Sequence, residues 1–296
     1  MLTIHIVGGG AVGLLLASYV AQWSVYPVAL VTRTEEQAEA LRHHGLKRIH
    51  ADGTEQVVYV QASTVLQVVE GDLVIIAVKY SDVAAVVTRL ASYNKIAVLF
   101  IQNGLAHLSM AQSLLAEEVL VGSAQFGATK VDATTVSHKG VGPLKLASVK
   151  GSEQWLYRLL EQKDTQLPIS FQADASFMLL EKALLNCFIN PLTAILQISN
   201  GELLTNAHAY TLLQQLYNEL MAAFPTMQPY FPFESVKLLC ERTAYNTSSM
   251  LADRLAKRPM EIETIVGAVL NKAAVPVPTL QTLYMLLLAI NEQKGA

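Results

Sequence analysis

The chain opens on a short apolar run at residues 2–7 (LTIHIV), passes through Gly8-Gly9-Gly10-Ala11-Val12-Gly13, and continues as the apolar segment LLLASYVAQ. No other segment constrains the fold as strongly. Strand, glycine turn and helix in this order form the opening unit of a dinucleotide-binding α/β domain. Gly8 permits the tight turn, Gly10 lets the backbone approach a pyrophosphate, and Gly13 lets helix and strand pack closely. The free N–H groups and dipole of the helix N-terminus then favour an anion. Gly8, Gly10, Ala11, Val12 and Gly13 are therefore candidate cofactor contacts. The competing reading is a glycine turn of some other α/β protein.

A second strand follows at residues 28–32 (VALVT). A strand that serves NAD ends in Asp or Glu, which holds the ribose diol. Here it ends in Thr32-Arg33-Thr34, and the first acid is Glu35. A guanidinium suits a 2′-phosphate through its charge and its forked donors, which favours NADP over NAD. The alternative leaves Arg33 solvated and gives the ribose to Glu35.

Residues 36–44 suit a helix. Asp52-Gly53 marks a turn between short strands in 45–61. Residues 73–79 (LVIIAVK) read as a buried parallel strand with Lys79 at its carboxyl end, on the ligand side of an open sheet. A helix over 82–92 and a strand over 96–101 lead into Gln102-Asn103-Gly104, whose amide can reach the nicotinamide. Further strands are expected at 124–128 and 140–142, joined by a polar connector at 132–139. A last helix at 153–163 precedes Leu167-Pro168-Ile169, which places the domain boundary at 168.

From Asp174 the pattern is almost wholly helical. Lys182, Asn186 and Asn190 recur every fourth residue, so each turns only about 40° around the helix. They form one polar stripe on an otherwise apolar helix over 175–199, interrupted at Pro191. A buried stripe of this kind needs a polar partner; otherwise it is a solvent face or an internal amide network. Helices follow at 202–224, 233–245, 249–257, 260–274 and 279–293. Ser248 or Ser249 can cap one of them, and Glu261 can compensate the dipole of another. The last helix, rich in Leu and Met, suits core or homodimer packing.

Composition excludes several classes. Hydrophobic residues make up 52% and charged residues 15%, which supports large buried cores. The net charge of −3 gives no bulk electrostatic case for nucleic acid. Two cysteines, Cys187 and Cys240, cannot form a disulfide framework and sit in apolar helical patterns. No Cys/His metal cluster is present. Residues 6–31 carry no charge, but glycines and Pro27 break them, so a membrane span is not expected and the protein reads as cytoplasmic.

Taken together, GGGAVG at 8–13, VK at 78–79, NG at 103–104, KALLNCFINPLTAIL at 182–196, NTSSMLAD at 246–253 and MEIE at 260–263 resemble the ketopantoate reductases (2-dehydropantoate 2-reductases) over nearly the whole chain. The resemblance implies a Rossmann-type parallel-sheet domain at 1–168 and an all-helical substrate domain at 169–296. It also implies NADPH-dependent reduction of 2-dehydropantoate to (R)-pantoate, on the route to pantothenate and coenzyme A. By the same resemblance Lys182 is the general acid, and Glu261 engages substrate and helps organise the site. Asn186 and Asn190 hydrogen-bond to the substrate or to that lysine, and Asn246 and Ser249 bind substrate in a cleft between the domains. Lys79 and Asn103 lie beside the cofactor, and Arg33 reads the 2′-phosphate. The chain departs from the family at Met260-Glu261-Ile262-Glu263, usually Thr-Glu-Ile-Asp, and at Val266-Gly267, usually Asn-Gly. Those departures leave room for a different branched 2-oxo acid. A non-catalytic protein that senses NADPH is the alternative from outside enzymes.

Overall fold

The computed structural model describes residues 2–162 and 164–293. The chain divides into two compact units. The first holds Met1–Gln102 and His107–Met178, and the second holds Asn103–Ala106 and Leu179–Ala296.

The first unit runs β1 (Ile4–Val7), α1 (Ala11–Trp23), β2 (Val28–Val31), α2 (Glu35–His44), β3 (Leu46–Ile49), β4 (Glu55–Val58), β5 (Gln61–Ser63), β6 (Leu73–Ile76), α3 (Tyr80–Leu90) and β7 (Ala97–Phe100). It continues with α4 (Leu108–Ser113), β8 (Glu118–Ala124), β9 (Gly127–Lys130), β10 (Thr135–Gly140), β11 (Leu144–Lys150), α5 (Gln154–Leu160) and β12 (Ile169–Phe171). The main sheet has the order β12-β11-β8-β7-β6-β1-β2-β5. Only the β11–β8 pairing is antiparallel. The chain winds outward in both directions from β1 and β6, so the carboxyl ends of these two strands form the switch point where such sheets bind ligands. At the opposite end of the sheet, buried Asp72 accepts from Thr3 N at 2.8 Å, Val69 N at 2.9 Å and His5 Nε2 at 2.9 Å, a set of contacts that fixes strand ends.

A second sheet, β4-β3-β10-β9, packs against α1. It explains why α1 (AVGLLLASYVAQW) carries no charge on any face: a helix covered on both sides has no solvent stripe to fill. The polar connector expected at 132–139 is instead the inner strand β10, flanked by β9. Its Thr135, Ser137 and His138 are buried. His138 Nδ1 meets the Tyr19 hydroxyl at 2.8 Å. Buried Arg48 stacks on the Tyr19 ring at 3.6 Å and donates to Ser18 Oγ and Gln22 Oε1. Buried polar side chains that pair with one another disguise a core strand as a loop in the sequence. The strand expected at 124–128 falls on the end of β8 and the start of β9, the one expected at 140–142 falls on the end of β10 and the connection between β10 and β11, and α4 is an element the pattern did not announce.

The helical unit contains most of α6 (Ala175–Leu196), then α7 (Glu202–Thr205), α8 (Ala207–Ala223), a 3₁₀ turn at Pro225–Tyr230, α9 (Phe233–Arg242) and α10 (Ser249–Leu255). A π-helical turn at Glu263–Gly267, α11 (Ala268–Lys272) and α12 (Pro278–Glu292) complete it. The single helix expected over 202–224 is broken at Asn206, whose side chain accepts from His208 N and Ala209 N and so restarts the helix as α8. The boundary expected at 168 falls inside the first unit, because β12 pairs with β11 and the unit extends to Met178. The end of the expected 153–163 helix lies outside the described residues. By length and composition α6 is long and apolar enough to cross a membrane, but it is largely buried inside the protein. Phe188 on α6 packs on Tyr217 and Phe231, with ring centroids 5.8 and 6.0 Å apart. Cys187 and Cys240 are buried free thiols whose pKa values burial raises, as expected of small apolar core residues.

Candidate active site

In the first unit the glycines of the opening turn divide into two kinds. Gly8 has φ +126°, and a Cβ there would stand 2.8 Å from the Ala77 carbonyl group. A Cβ on Gly13 would stand 1.9 Å from the Gly8 carbonyl oxygen. Steric contact within the protein alone requires these two glycines. Gly10 differs, since a Cβ there would meet nothing within 4 Å. The space beside it is what a pyrophosphate needs. Ala11 and Val12 open α1 with Gly10 as N-cap, and no side chain caps the helix, which leaves its first N–H groups to face that space. These residues fit a bound dinucleotide.

Around this turn, Arg33 is exposed just beyond β2. Glu35, the competing ribose ligand, is engaged elsewhere: Arg42 donates to it at 2.7 Å and Thr64 at 3.1 Å. The Arg42 bond, more than the Thr64 bond, holds its carboxyl below the usual range. Lys79 lies at the N-cap position of α3, three residues past the end of β6. Buried Gln102, after β7, donates to the carbonyls of Ile76 and Val78 and so holds the strand end that leads to Lys79.

The second unit gathers the remaining candidates. Lys182, Asn186 and Asn190 lie on one stripe of α6, as their spacing predicts. Burial drives the Lys182 amine down to about 8, and the negative charge of Glu261 opposes that shift. Asn103 Nδ2 donates to Glu261 Oε2 at 3.1 Å. That meeting depends on Gly104, which has φ +81° and lies so close to Thr264 that a Cβ would be 1.8 Å from its carbonyl oxygen. Leu105 N donates to the same oxygen at 3.1 Å, so the Asn-Gly turn is seated on the backbone of the π-helical turn. A wide helical turn at such a position is common at functional sites. Glu261 precedes the helix instead of opening it, with Ile262 as the N-cap position of the π-helical turn.

Asn190 is buried and donates to Ser249 Oγ at 3.4 Å. Of the two serines, Ser248 is the cap: its hydroxyl accepts from Leu251 N at 3.2 Å and pairs with Thr193 Oγ1 at 2.8 Å. Ser249 and Asn246 are exposed. The Asn246 carbonyl accepts from Asn200 N at 3.2 Å. Sequence reasoning passed over two supporting residues. Thr193 ties α6 to α10 through Ser248, and Arg254 donates to the carbonyls of Ala194 and Ile195 at the end of α6. The LTAI portion of the α6 block held the first signal; a basic residue six positions after the Ser248 cap held the second.

An open glycine turn with an arginine at the neighbouring strand tip, and a desolvated lysine opposed by a carboxylate that an asparagine orients, define a class: a dinucleotide-dependent oxidoreductase. Comparison narrows it. Residues 4–151 match the profile described as Ketopantoate reductase PanE/ApbA, and residues 176–291 match Ketopantoate reductase PanE/ApbA C terminal. The 2-dehydropantoate 2-reductase of Listeria monocytogenes is 34% identical over 293 residues, 97% of this chain and 96% of that protein. The crystal structure of the probable 2-dehydropantoate 2-reductase of Bacillus subtilis superposes with a TM-score of 0.86 at 31% identity, covering 98% of this chain and all 100% of that one. D-mandelate dehydrogenase, solved with NADH and anilino(oxo)acetate, shares the fold with a TM-score of 0.85 at 21% identity, over 100% of both chains. The chain belongs to the ketopantoate reductase PanE/ApbA family and is an oxidoreductase.

Proposed function

We propose that this protein reduces 2-dehydropantoate to (R)-pantoate with NADPH, in the cytoplasm, on the route to pantothenate. The observation that carries this reading is the Lys182 amine, desolvated on an apolar helix and held near a carboxylate. NADPH, when bound, supplies the hydride. Gly8, Gly10, Ala11, Val12 and Gly13 would hold its pyrophosphate, Arg33 its 2′-phosphate, and Lys79 and Asn103 its nicotinamide half.

Addition to the C2 carbonyl carbon of a 2-oxo acid places negative charge on oxygen, which must be stabilised and then protonated. The Lys182 ammonium does both. It stabilises the growing charge in a low-dielectric setting and gives up a proton more readily than a solvated lysine. Glu261 keeps enough of Lys182 charged to act as an acid. Asn103 fixes the Glu261 carboxylate by donating to it. Asn186 and Asn190 orient the substrate carbonyl, and Asn246 and Ser249 offer neutral donors to its carboxylate.

The test is NADPH oxidation with 2-dehydropantoate and a panel of branched 2-oxo acids at fixed cofactor. The highest kcat/KM is expected for 2-dehydropantoate. A higher value for another acid would replace the substrate and leave the mechanism, and it would point to Met260, which puts a thioether where the family has a hydroxyl. NADPH binding without turnover of any acid would leave a nucleotide sensor.

A further inference from the structure

The second sheet brings a lysine to the dinucleotide turn. Lys130, the last residue of β9, points its amine at the glycine turn and donates to the Gly9 carbonyl at 2.9 Å. The Gln37 amide fixes this approach from the other side, donating to the Gly9 carbonyl at 3.0 Å and to the Ala133 carbonyl at 2.8 Å. One glutamine thus ties the β9–β10 turn to the glycine turn. Arg33 follows β2, whose last carbonyl, that of Val31, accepts from Gly8 N at 2.8 Å. Both cations therefore border the same turn. They are close enough that the charge of Arg33, after burial, lowers the Lys130 pKa.

Neither cation is part of an ion pair among the described residues. The nearby acids are hydrogen-bonded to other groups. Glu35 is held by Arg42 and Thr64. Asp132 accepts from Thr134 N at 2.8 Å and Thr135 N at 2.7 Å, which shapes its own turn. Two like charges set side by side repel each other; the charge of Asp132 acts on Lys130 more weakly than that of Arg33, and an anion between the two cations relieves the remaining repulsion. At the tip of the second strand that anion belongs to the adenine ribose. Resting on the NADPH reading above, we infer that Lys130 is a second specificity-determining cation that reads the 2′-phosphate of the dinucleotide together with Arg33. A lysine suits the task as a point charge on a flexible stem, beside the planar fork of an arginine.

Isothermal titration of the full chain with adenosine 2′,5′-bisphosphate and with adenosine 5′-monophosphate tests this without turnover. The wild-type chain should bind the bisphosphate more tightly. Lys130→Met should weaken the bisphosphate by about tenfold or more and the monophosphate by less than about twofold, as expected for one lost charge-assisted contact. Lys130→Arg should restore most of the loss. Lys130 is exposed, so an unchanged melting temperature should accompany the change. Equal weakening of both nucleotides would assign Lys130 to the phosphate they share and overturn the inference. No weakening of either would make it a surface lysine and overturn it too. A wild-type chain that did not distinguish the two nucleotides would remove the NADPH reading itself, and this inference with it.

Discussion

Asn103 and Glu261, 158 residues apart in sequence, meet through a 3.1 Å hydrogen bond from amide to carboxylate. The contact orients the acid whose charge opposes the desolvation of Lys182. Asn103, Glu261 and Lys182 therefore form one coupled group, and a change at any of them should register at the lysine.

Replacing the lysine is the most direct test. Lys182→Ala should lower kcat with 2-dehydropantoate by about 100-fold or more, the usual contribution of a general acid. NADPH affinity, measured by fluorescence quenching, should hold. An unchanged kcat would remove Lys182 from the acid role.

The pH profile follows from the sign of the shift. An acid catalyst must be protonated, so kcat/KM should be flat below a pH of about 8 and fall above it. Glu261→Gln removes the charge that raises the lysine, so the alkaline limb should move to lower pH. A limb that stays where it is would mean that another group controls it.

The same shift bears on stability. The folded value near 8 lies below the ordinary 10.5, so the unfolded chain binds the proton more tightly between those values. Below a pH of about 8 the folded state carries the full cost of a desolvated charge, and the cost fades as pH rises toward 10.5. Lys182→Met should therefore stabilise the inactive protein at pH 7, by on the order of 1 kcal/mol. The gain should shrink at higher pH in thermal melts.

Gly104→Ala should damage both fold and site. Its Cβ would be 1.8 Å from the Thr264 carbonyl oxygen, at a φ of +81° that alanine rarely adopts. A loss of about 2 kcal/mol or more is expected, with a fall in kcat as Asn103 leaves Glu261. Gly10→Ala is the informative contrast. It should leave the melting temperature nearly unchanged and weaken NADPH, because its Cβ meets only open space.

Arg33→Ala should weaken NADPH about 10- to 100-fold, the range for a charge-assisted contact, and leave NADH nearly untouched. Equal weakening of the two would return Arg33 to a solvated surface charge.

The parts legible in the sequence were those set by local rules. Gly8 and Gly13 announce themselves because no other residue fits where they stand, and β1, β6 and β7 read as strands because both faces are buried. The stripe at Lys182, Asn186 and Asn190 follows from helical spacing alone. What stayed hidden depends on pairing at a distance. β10 reads as polar because its Thr135, Ser137 and His138 find partners or cover in a second sheet, and only the charge-free α1 hinted that such a cover existed. The Asn103–Glu261 bond joins two motifs that sequence treats separately. Ser248 and Ser249 are adjacent and chemically alike, and only the turn geometry decides which one caps α10.

The four residues Asn103–Ala106 belong to the helical unit although the chain delivers them from the midst of the sheet unit. A cut after Met178 would thus not release two self-sufficient halves. The C-terminal fragment would lack the peptide that donates to the Thr264 carbonyl and the amide that steadies Glu261. The covalent order of the chain makes the sheet half a supplier of parts to the helical half, so neither gene segment could be exchanged between relatives without carrying this short loan along with it.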